Sequence, residues 1–250
     1  MPPPVVAITG GNGTLGRELL LGWHRRGAHL IALTTCEDDL ALQDRDGVAV
    51  PLRQICWRAG AEDLLDEVLE EVDVLVINHG LNVHGARDAM AVDQSLQVNA
   101  LSGWRLLELF ASVVARRCAA GCDDGQRPPA EVWVNTSEAE VQPALSPLYE
   151  ISKRLLGELL SLRALDLSRV LRIRRLVLGP FRSPLNPIGL MDAGWVAGQI
   201  LNQAGWGWDL IIVTINPLTY ITMPLAALAR RAYFSLCSQP AQEPLRRNGP

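Results

Sequence analysis

Short, wholly apolar runs alternate with amphipathic segments along most of the chain. We predict seven strands, at residues 5–9, 28–33, 48–55, 73–78, 131–136, 170–177 and 210–213. Helical spacing of apolar positions predicts helices at residues 14–26, 62–71, 88–118, 147–167, 192–204 and 224–234. Strands that are apolar throughout are typical of parallel sheets covered on both faces. The alternation therefore predicts an α/β fold with a doubly wound parallel sheet of about seven strands.

Composition narrows the class of protein. The chain has 250 residues, of which 48% are hydrophobic, and a formal net charge of −4, so we expect no nucleic-acid partner. Five cysteines without metal-ligand spacing predict reduced thiols, no metal site and a cytoplasmic location. No basic segment precedes the first strand, so we expect no signal peptide. We predict one domain over residues 1–237, and a disordered polar tail over residues 238–250.

A glycine-rich turn follows the first strand. Glycines stand at 10, 13 and 16, and a helical pattern begins inside the turn. Strand, glycine-rich turn and helix together place a dinucleotide pyrophosphate on a helix N-terminus. The candidate cofactor-binding residues of this turn are Gly10, Asn12, Gly13, Thr14, Leu15 and Gly16.

The chain has a single lysine among its 23 cationic side chains, and a tyrosine precedes it by four residues. The spacing of Tyr149 and Lys153 places both side chains on one face at the start of a helix. A neighbouring ammonium favours the phenolate, so we expect Lys153 to lower the pKa of Tyr149. Ser137 follows the fifth strand, where open α/β sheets have their sites, and Asn99 lies in the long helical region predicted at residues 88–118.

These residues, in this order, resemble the short-chain dehydrogenase/reductase family over about residues 5–215. The resemblance implies a single-domain Rossmann fold and a catalytic tetrad of Asn99, Ser137, Tyr149 and Lys153. It also implies hydride transfer between a nicotinamide and a carbonyl or alcohol. Tyr149 would exchange the proton, Ser137 would orient the substrate oxygen, and Asn99 would hold a water near Lys153. Because the Ser–Tyr spacing is one residue short, Thr136 is the alternative for the serine role.

Two further segments match the family's nicotinamide-binding stretches. These cofactor-binding candidates are Asn78, His79 and Gly80 after the fourth strand, and Gly179, Pro180, Phe181 and Ser183 after the sixth. Tyr149 and Lys153 would contact the cofactor as well. More narrowly, residues 78–80, 134–141, 179–189 and 212–220 resemble the reductase half of bifunctional sterol desaturase/short-chain dehydrogenase proteins. The four histidines form no His-rich box, so we do not extend any desaturase activity to this chain.

The end of the second strand bears on the choice between NADP and NAD. An NAD site usually has a carboxylate there, whereas this chain has Thr34 and Thr35. Two hydroxyl groups tolerate a 2′-phosphate, so we expect NADP, with NAD as the alternative. The nearest cations in the sequence are Arg25 and Arg26, and acidic residues 37–39 count against a phosphate if they fold inward.

Three functions remain open at this stage. The first is an NADP-dependent oxidoreductase acting on an apolar small molecule. The second is a dinucleotide-binding regulatory protein without turnover. The third is a sugar-nucleotide epimerase or dehydratase, which the glycine spacing favours and the short stretch of 97 residues after Lys153 opposes. Apolar positions on both sides of the helix after Tyr149 predict a homodimer. We expect the apolar tail helix to cover the substrate pocket, with a dimer contact or peripheral membrane contact as alternatives.

Overall fold

The computed structural model describes residues 2–35, 38–121 and 128–240. Seven strands form one sheet in the order β3-β2-β1-β4-β5-β6-β7, and every neighbouring pair is parallel. The strands are β1 (Val5–Thr9), β2 (His29–Thr34), β3 (Arg53–Cys56), β4 (Val74–Ile77), β5 (Glu131–Asn135), β6 (Arg172–Leu178) and β7 (Leu210–Val213). The predicted doubly wound parallel sheet is confirmed.

Helices cover both faces of this sheet. They are α1 (Thr14–His24), α2 (Asp66–Leu69), α3 (Ala89–Leu96), α4 (Ser102–Ala119), α5 (Pro147–Leu167), α6 (Ala193–Gly205) and α7 (Thr219–Cys237). Helices α1 and α6 pack on one face, and α2, α4 and α5 pack on the other. Helix α7 lies beside α5 and contacts the β6–β7 edge through Met223. Two separate apolar cores therefore hold the sheet between them.

Several predicted boundaries differ from the structure. The strand predicted at 48–55 begins only at Arg53, because an antiparallel bridge between Gln43 and Ala49 uses the preceding residues. The helix predicted at 62–71 is a 3₁₀ turn, Glu62–Leu65, followed by the single turn of α2. The long helix predicted at 88–118 is α3 and α4 joined by a π turn, Gln97–Leu101.

The predicted tail helix is longer than residues 224–234. Its start is set by Asn216, whose side-chain oxygen accepts a hydrogen bond from Leu218 N at 3.1 Å and whose carbonyl accepts one from Thr219 N at 3.2 Å. Pro224 is tolerated inside α7, near its first turns, at the loss of one backbone hydrogen bond. The predicted disordered tail lies outside the described residues from position 241 onward.

Within the described residues, one helical run meets the length and hydropathy of a membrane span. It is Ala89–Ala119, with a mean hydropathy of 1.2, and 56% of its most apolar window is buried inside the fold. Phe110, Val113 and Val114 are fully buried there against the sheet. These contacts are those of a core helix of an α/β domain.

Candidate functional site

Strands β1 and β4 are parallel neighbours, and their carboxyl ends lie side by side at the point where the strand order reverses. This is where open α/β sheets bind ligands. Gly10 follows β1 with a φ of 64°, in the left-handed region that glycine adopts without strain. A Cβ at Gly10 would lie 3.1 Å from the backbone of His79, which follows β4. The first glycine therefore lets the two loops pass close together.

The other glycines of the turn leave a cradle that side chains would fill. A Cβ at Gly16 would overlap the carbonyl oxygen of Gly10, and a Cβ at Gly13 would lie 3.2 Å from the same oxygen. Helix α1 starts at Thr14, so its N-terminal N–H groups border this cradle. These residues fit the pyrophosphate of a dinucleotide, which binds to backbone N–H groups and to the positive end of the helix dipole.

His79 and Asn78 close the β4 side of the cradle. Thr9 Oγ1 accepts a hydrogen bond from Asn78 N at 2.8 Å and is 2.8 Å from His79 Nδ1. Burial and the nearby Lys153 charge lower the pKa of His79 to about 3, so the imidazole is neutral at physiological pH. This loop is held in place by a neutral ring and does not present a cation.

Lys153 and Tyr149 stand one helical turn apart at the start of α5, as predicted. The Lys153 ammonium is buried and donates a hydrogen bond to the carbonyl of Asn135 at 2.9 Å. It lies 5.7 Å from the centre of the Tyr149 ring. Burial lowers the pKa of Lys153 to about 8, and the charge of Glu140 acts in the opposite direction.

The pKa of Tyr149 shifts in the direction opposite to our expectation. Burial of the phenol raises the pKa, and the interaction with Ser137 lowers it by less. Desolvation penalises the phenolate more strongly than its polar neighbours favour it. The structure therefore keeps Tyr149 protonated, the form that a proton donor needs.

The structure separates the two candidates for the serine role. Thr136 is fully buried, and its hydroxyl donates to the carbonyl of Leu176 within the sheet, at 3.4 Å. Ser137 instead faces Tyr149, with its Oγ 3.4 Å from the carbonyl of Leu178. Its φ of 110° is unusual for a residue with a side chain, and such strain concentrates at functional sites.

Asn99 occupies the centre of the π turn between α3 and α4. Its side chain accepts a hydrogen bond from Leu81 N at 2.7 Å and donates to Leu81 O at 2.8 Å and to Ser152 Oγ at 3.1 Å. The side chain is thus engaged in tying the β4 loop to α5. These contacts place Asn99 beside Ser152, the neighbour of Lys153 in α5.

The adenosine end of the site differs from the prediction. Thr34 is buried, whereas Thr35 is exposed and better placed to meet a ligand. Arg25 and Arg26 follow the far end of α1, a full helix length from the cradle. Of the acidic residues 37–39, Glu37 lies outside the described residues, and Asp38 and Asp39 are exposed.

Arg17 is the cation that sequence reasoning missed. It lies on the first turn of α1, donates to Asn12 Oδ1 at 3.1 Å and reaches Ala41 O at 2.7 Å. These two contacts place its guanidinium between the glycine turn and the loop after β2. The sequence does show a cation directly after the glycine-rich turn, since Arg17 follows Gly16. It does not show that the loop after β2 lies close enough for Arg17 to reach it.

The loop after β6 is held in shape by hydrogen bonds between its own backbone groups. Leu190 N donates to Pro180 O and Arg182 N to Met191 O, both at 2.9 Å, while a Cβ at Gly189 would overlap the backbone of Phe181. Gly179 is anchored to Val213 by a backbone hydrogen bond of 2.9 Å. The predicted nicotinamide-binding residues Gly179, Pro180, Phe181 and Ser183 thus belong to one ordered loop beside Ser137.

Among the described residues, no group of three or more His, Cys, Asp or Glu is arranged to hold a metal.

No protein-family model matches the chain. It is 46% identical over 230 residues to the monoglucosyldiacylglycerol epimerase of Synechocystis sp.. The match covers 92% of this chain and 53% of the epimerase, so the chain spans about half the length of that relative. This relative does not confirm the narrower resemblance to sterol desaturase/short-chain dehydrogenase proteins.

Solved structures share the fold over the whole chain. A bulky-bulky ketone specific alcohol dehydrogenase from Comamonas testosteroni is 18% identical, with a TM-score of 0.74 and 100% of both chains covered. A short chain dehydrogenase from Burkholderia cenocepacia, solved in complex with NADP, is 16% identical with a TM-score of 0.72 and covers 95% of this chain and 98% of its own. The chain has the Rossmann fold of the short-chain dehydrogenases.

Proposed function

We propose that this chain is an oxidoreductase of the short-chain dehydrogenase/reductase type that uses NADP. The observation that carries the proposal is the placement of Ser137, Tyr149 and Lys153 around one point at the carboxyl edge of the sheet. That point lies beside the glycine cradle at the β1/β4 switch. Its substrate is the carbonyl or alcohol of a molecule with an apolar portion.

The residues that would hold the cofactor run from the adenosine end to the nicotinamide end. Arg17 and Thr35 would meet the ribose phosphate, and the N-terminus of α1 would bind the pyrophosphate. The segment 179–183 would contact the nicotinamide. When bound, the cofactor supplies or accepts the hydride. The NADP found with the Burkholderia structure supports this choice over NAD.

The chain's own residues handle the proton. In reduction, Tyr149 donates its phenolic proton to the oxygen of the substrate carbonyl while Ser137 donates a hydrogen bond to that oxygen. The Lys153 ammonium, held by Asn135 O, stabilises the phenolate that remains. In oxidation the same atoms act in reverse, with Tyr149 accepting the proton of the hydroxyl.

A second candidate function is epimerisation of a sugar on a lipid, favoured by the name of the relative at 46% identity. A glucosyl hydroxyl would be oxidised to a ketone as its hydride passes to NADP, and return of that hydride to the opposite face of the ring would invert one carbon without net oxidation. Both halves use the same tyrosine and lysine. A diacylglycerol glycoside also satisfies the expectation of an apolar substrate.

Partners and location are further parts of the proposal. Leu155, Leu159 and Leu162 are only half-buried on α5, which supports a homodimer through that helix. We propose a cytoplasmic protein without a nucleic-acid partner. Peripheral membrane contact through α7 is the alternative to pocket or dimer cover.

The test combines cofactor binding with two turnover assays. NADPH and NADH are titrated by fluorescence, NADPH oxidation is followed with a panel of ketones, and monoglucosyldiacylglycerol is incubated with catalytic NADP and analysed for its epimer. Ketone turnover supports the oxidoreductase, and the epimer without net NADPH change supports the epimerase. Tight NADPH binding with no turnover of any substrate would favour the non-catalytic regulatory protein instead.

A further inference from the structure

Two carboxylates in the short turn after Ser137 reach across to α7. This 3₁₀ turn is Glu138–Glu140. Glu138 Oε2 accepts hydrogen bonds from Thr214 Oγ1 at 2.7 Å and from Thr219 Oγ1, at the start of α7, at 3.1 Å. Glu140 Oε2 accepts one from Arg230 Nη1 at 2.6 Å. The C-terminal helix is therefore bonded twice to the turn that carries Ser137.

Glu140 is buried in a notch in α5. Its side chain is fully buried, and a Cβ at Gly157 would overlap its carboxylate. A buried carboxylate is costly without a paired charge. Arg230 supplies that charge at 2.6 Å, and Arg175 lies at 3.4 Å. The missing side chain of Gly157 thus leaves the space that Glu140 occupies, and the positive charge of Arg230 offsets the cost of burying the carboxylate.

The arginines are themselves anchored to α5. Arg230 Nε bonds Glu158 Oε1 at 2.8 Å, while Arg175 donates to Gly157 O at 3.0 Å and to Ser161 Oγ at 2.8 Å. Gly157 follows Lys153 by one helical turn, on the face that also carries Tyr149. The Glu140–Arg230 pair therefore meets α5 one helical turn after Lys153.

Ser137 needs such support because its backbone is strained. Its φ of 110° persists only where the surrounding structure holds it. Within the turn, Ala139 N donates to Ser137 Oγ at 3.2 Å and Glu140 N donates to Ser137 O at 3.2 Å. The backbone N–H groups of Ala139 and Glu140 therefore link the placement of Glu140 to that of Ser137.

We propose that Arg230 of α7 and Glu140 are positioning residues, which hold Ser137 in register with Tyr149 and Lys153. This rests on the proposed function of that site. Helix α7 would then be required for catalysis even though none of its side chains touches the reacting atoms. Cofactor binding, which takes place around the glycine cradle and Arg17, does not depend on this pair.

The test compares four variants. Arg230→Met is expected to lower kcat about 100-fold, the scale of a small misplacement in an active site, while the NADPH dissociation constant stays unchanged. Arg230→Lys is expected to restore part of kcat. Because Arg230→Met leaves a buried carboxylate with less compensation, the double variant Glu140→Gln/Arg230→Met recovers thermal stability yet keeps the low kcat. Arg231→Met, an exposed arginine on the same helix, is the matched control.

A readout without turnover separates this proposal from the proposed function. Hydrogen–deuterium exchange of residues 136–142 is expected to rise in Arg230→Met and in the double variant, and not in Arg231→Met. Unchanged exchange and unchanged kcat would overturn the positioning role while leaving the oxidoreductase intact. If the wild type turns over no substrate, the exchange result alone decides: a rise in Arg230→Met supports the contact, and no rise rejects it.

Discussion

The Lys153 ammonium donates its hydrogen bond to the carbonyl of Asn135, at 2.9 Å, and this contact fixes the lysine at the carboxyl end of β5. Asn135 also donates from its side chain to Asn78 Oδ1 at 3.1 Å, so the ends of β4 and β5 are joined there. The position of Lys153 is therefore determined by the sheet as well as by its own helix. A compact ammonium suits this enclosed position better than a planar guanidinium.

Tyr149→Phe is expected to lower kcat for carbonyl reduction by about 100- to 10,000-fold, because it removes the proton donor. Cofactor affinity is expected to survive, since the ring remains. Lys153→Arg is also expected to lower kcat, because the wider guanidinium must enter a space where the native ammonium is buried. Steady-state kinetics and NADPH titration check both variants. Near-wild-type turnover in either would reject the assignment of these residues.

The pH dependence of reduction follows from the buried ammonium. The pKa of Lys153 is about 8, so its positive charge is present below that pH and is lost as the pH rises through it. We expect kcat/KM for reduction to fall on the alkaline side of about pH 8, since the phenolate of Tyr149 loses its stabilising charge. Glu140 raises this pKa, so Glu140→Gln is expected to move the alkaline limb to lower pH. A limb that stays in place would contradict the coupling.

Arg17→Met is expected to weaken NADPH binding more than NADH binding. A hydrogen bond to a charged group contributes about 1.5–3 kcal/mol, which is about 10- to 100-fold in the dissociation constant. Arg26→Met is the control, because Arg26 lies at the far end of α1 and packs over Trp23. Fluorescence titration of both cofactors measures the ratio. Equal loss for NADPH and NADH would mean that Arg17 does not contact the 2′-phosphate.

The structure indicates which of the two threonines at the end of β2, Thr34 or Thr35, should be replaced to alter cofactor preference. Thr34→Asp would place a carboxylate at a position that is 2% exposed, where it would destabilise the fold. Thr35→Asp lies in an exposed position at the end of β2, and we expect it to favour NADH by repelling the phosphate. The ratio of the NADPH and NADH dissociation constants is the measurement. A ratio that still favours NADPH would place the phosphate elsewhere.

Sequence patterns predicted the strands and the larger helices well, because these depend on local apolar spacing. The bounds of α5 and β7 are as predicted, and Gly10 and Gly16 make the close contacts that the turn requires. The sequence favours Ser137 for the serine role and keeps Thr136 as the alternative, because the choice depends on which way each side chain leaves the end of β5. That direction is set by neighbouring strands and not by the spacing to Tyr149.

Contacts between distant segments were not accessible from the sequence. Arg230 and Glu140 are 90 residues apart, and nothing in either segment indicates the other. The notch at Gly157 is likewise visible only when the turn after β5 is placed against α5. The net rise in the pKa of Tyr149 was missed for a related reason, since burial depends on the whole fold.

The exposed apolar face of α7 leads to the last prediction. Ile221, Leu225 and Leu228 are each more than 60% exposed, and the nearby Thr222 hydroxyl accepts a hydrogen bond from Gln142 Nε2 at 3.1 Å, close to the Ser137 turn. We expect this face to contact the apolar part of the substrate. Burying one leucine contributes about 1.5–3 kcal/mol, so Leu225→Gln with Leu228→Gln is expected to raise KM for a long-chain substrate at least about tenfold.

A short-chain analogue of the same substrate separates substrate contact from other roles of this face. Its KM is expected to be unchanged in the double variant, because it lacks the apolar portion, and Leu64→Gln, at an exposed leucine before α2, is expected to change neither KM. Sedimentation with phospholipid vesicles provides the opposing outcome. If the wild type pellets with vesicles and the double variant does not, α7 is a membrane contact and does not cover the substrate. An apolar helix face at a bilayer surface would then raise the local concentration of a lipid substrate without touching it in the site.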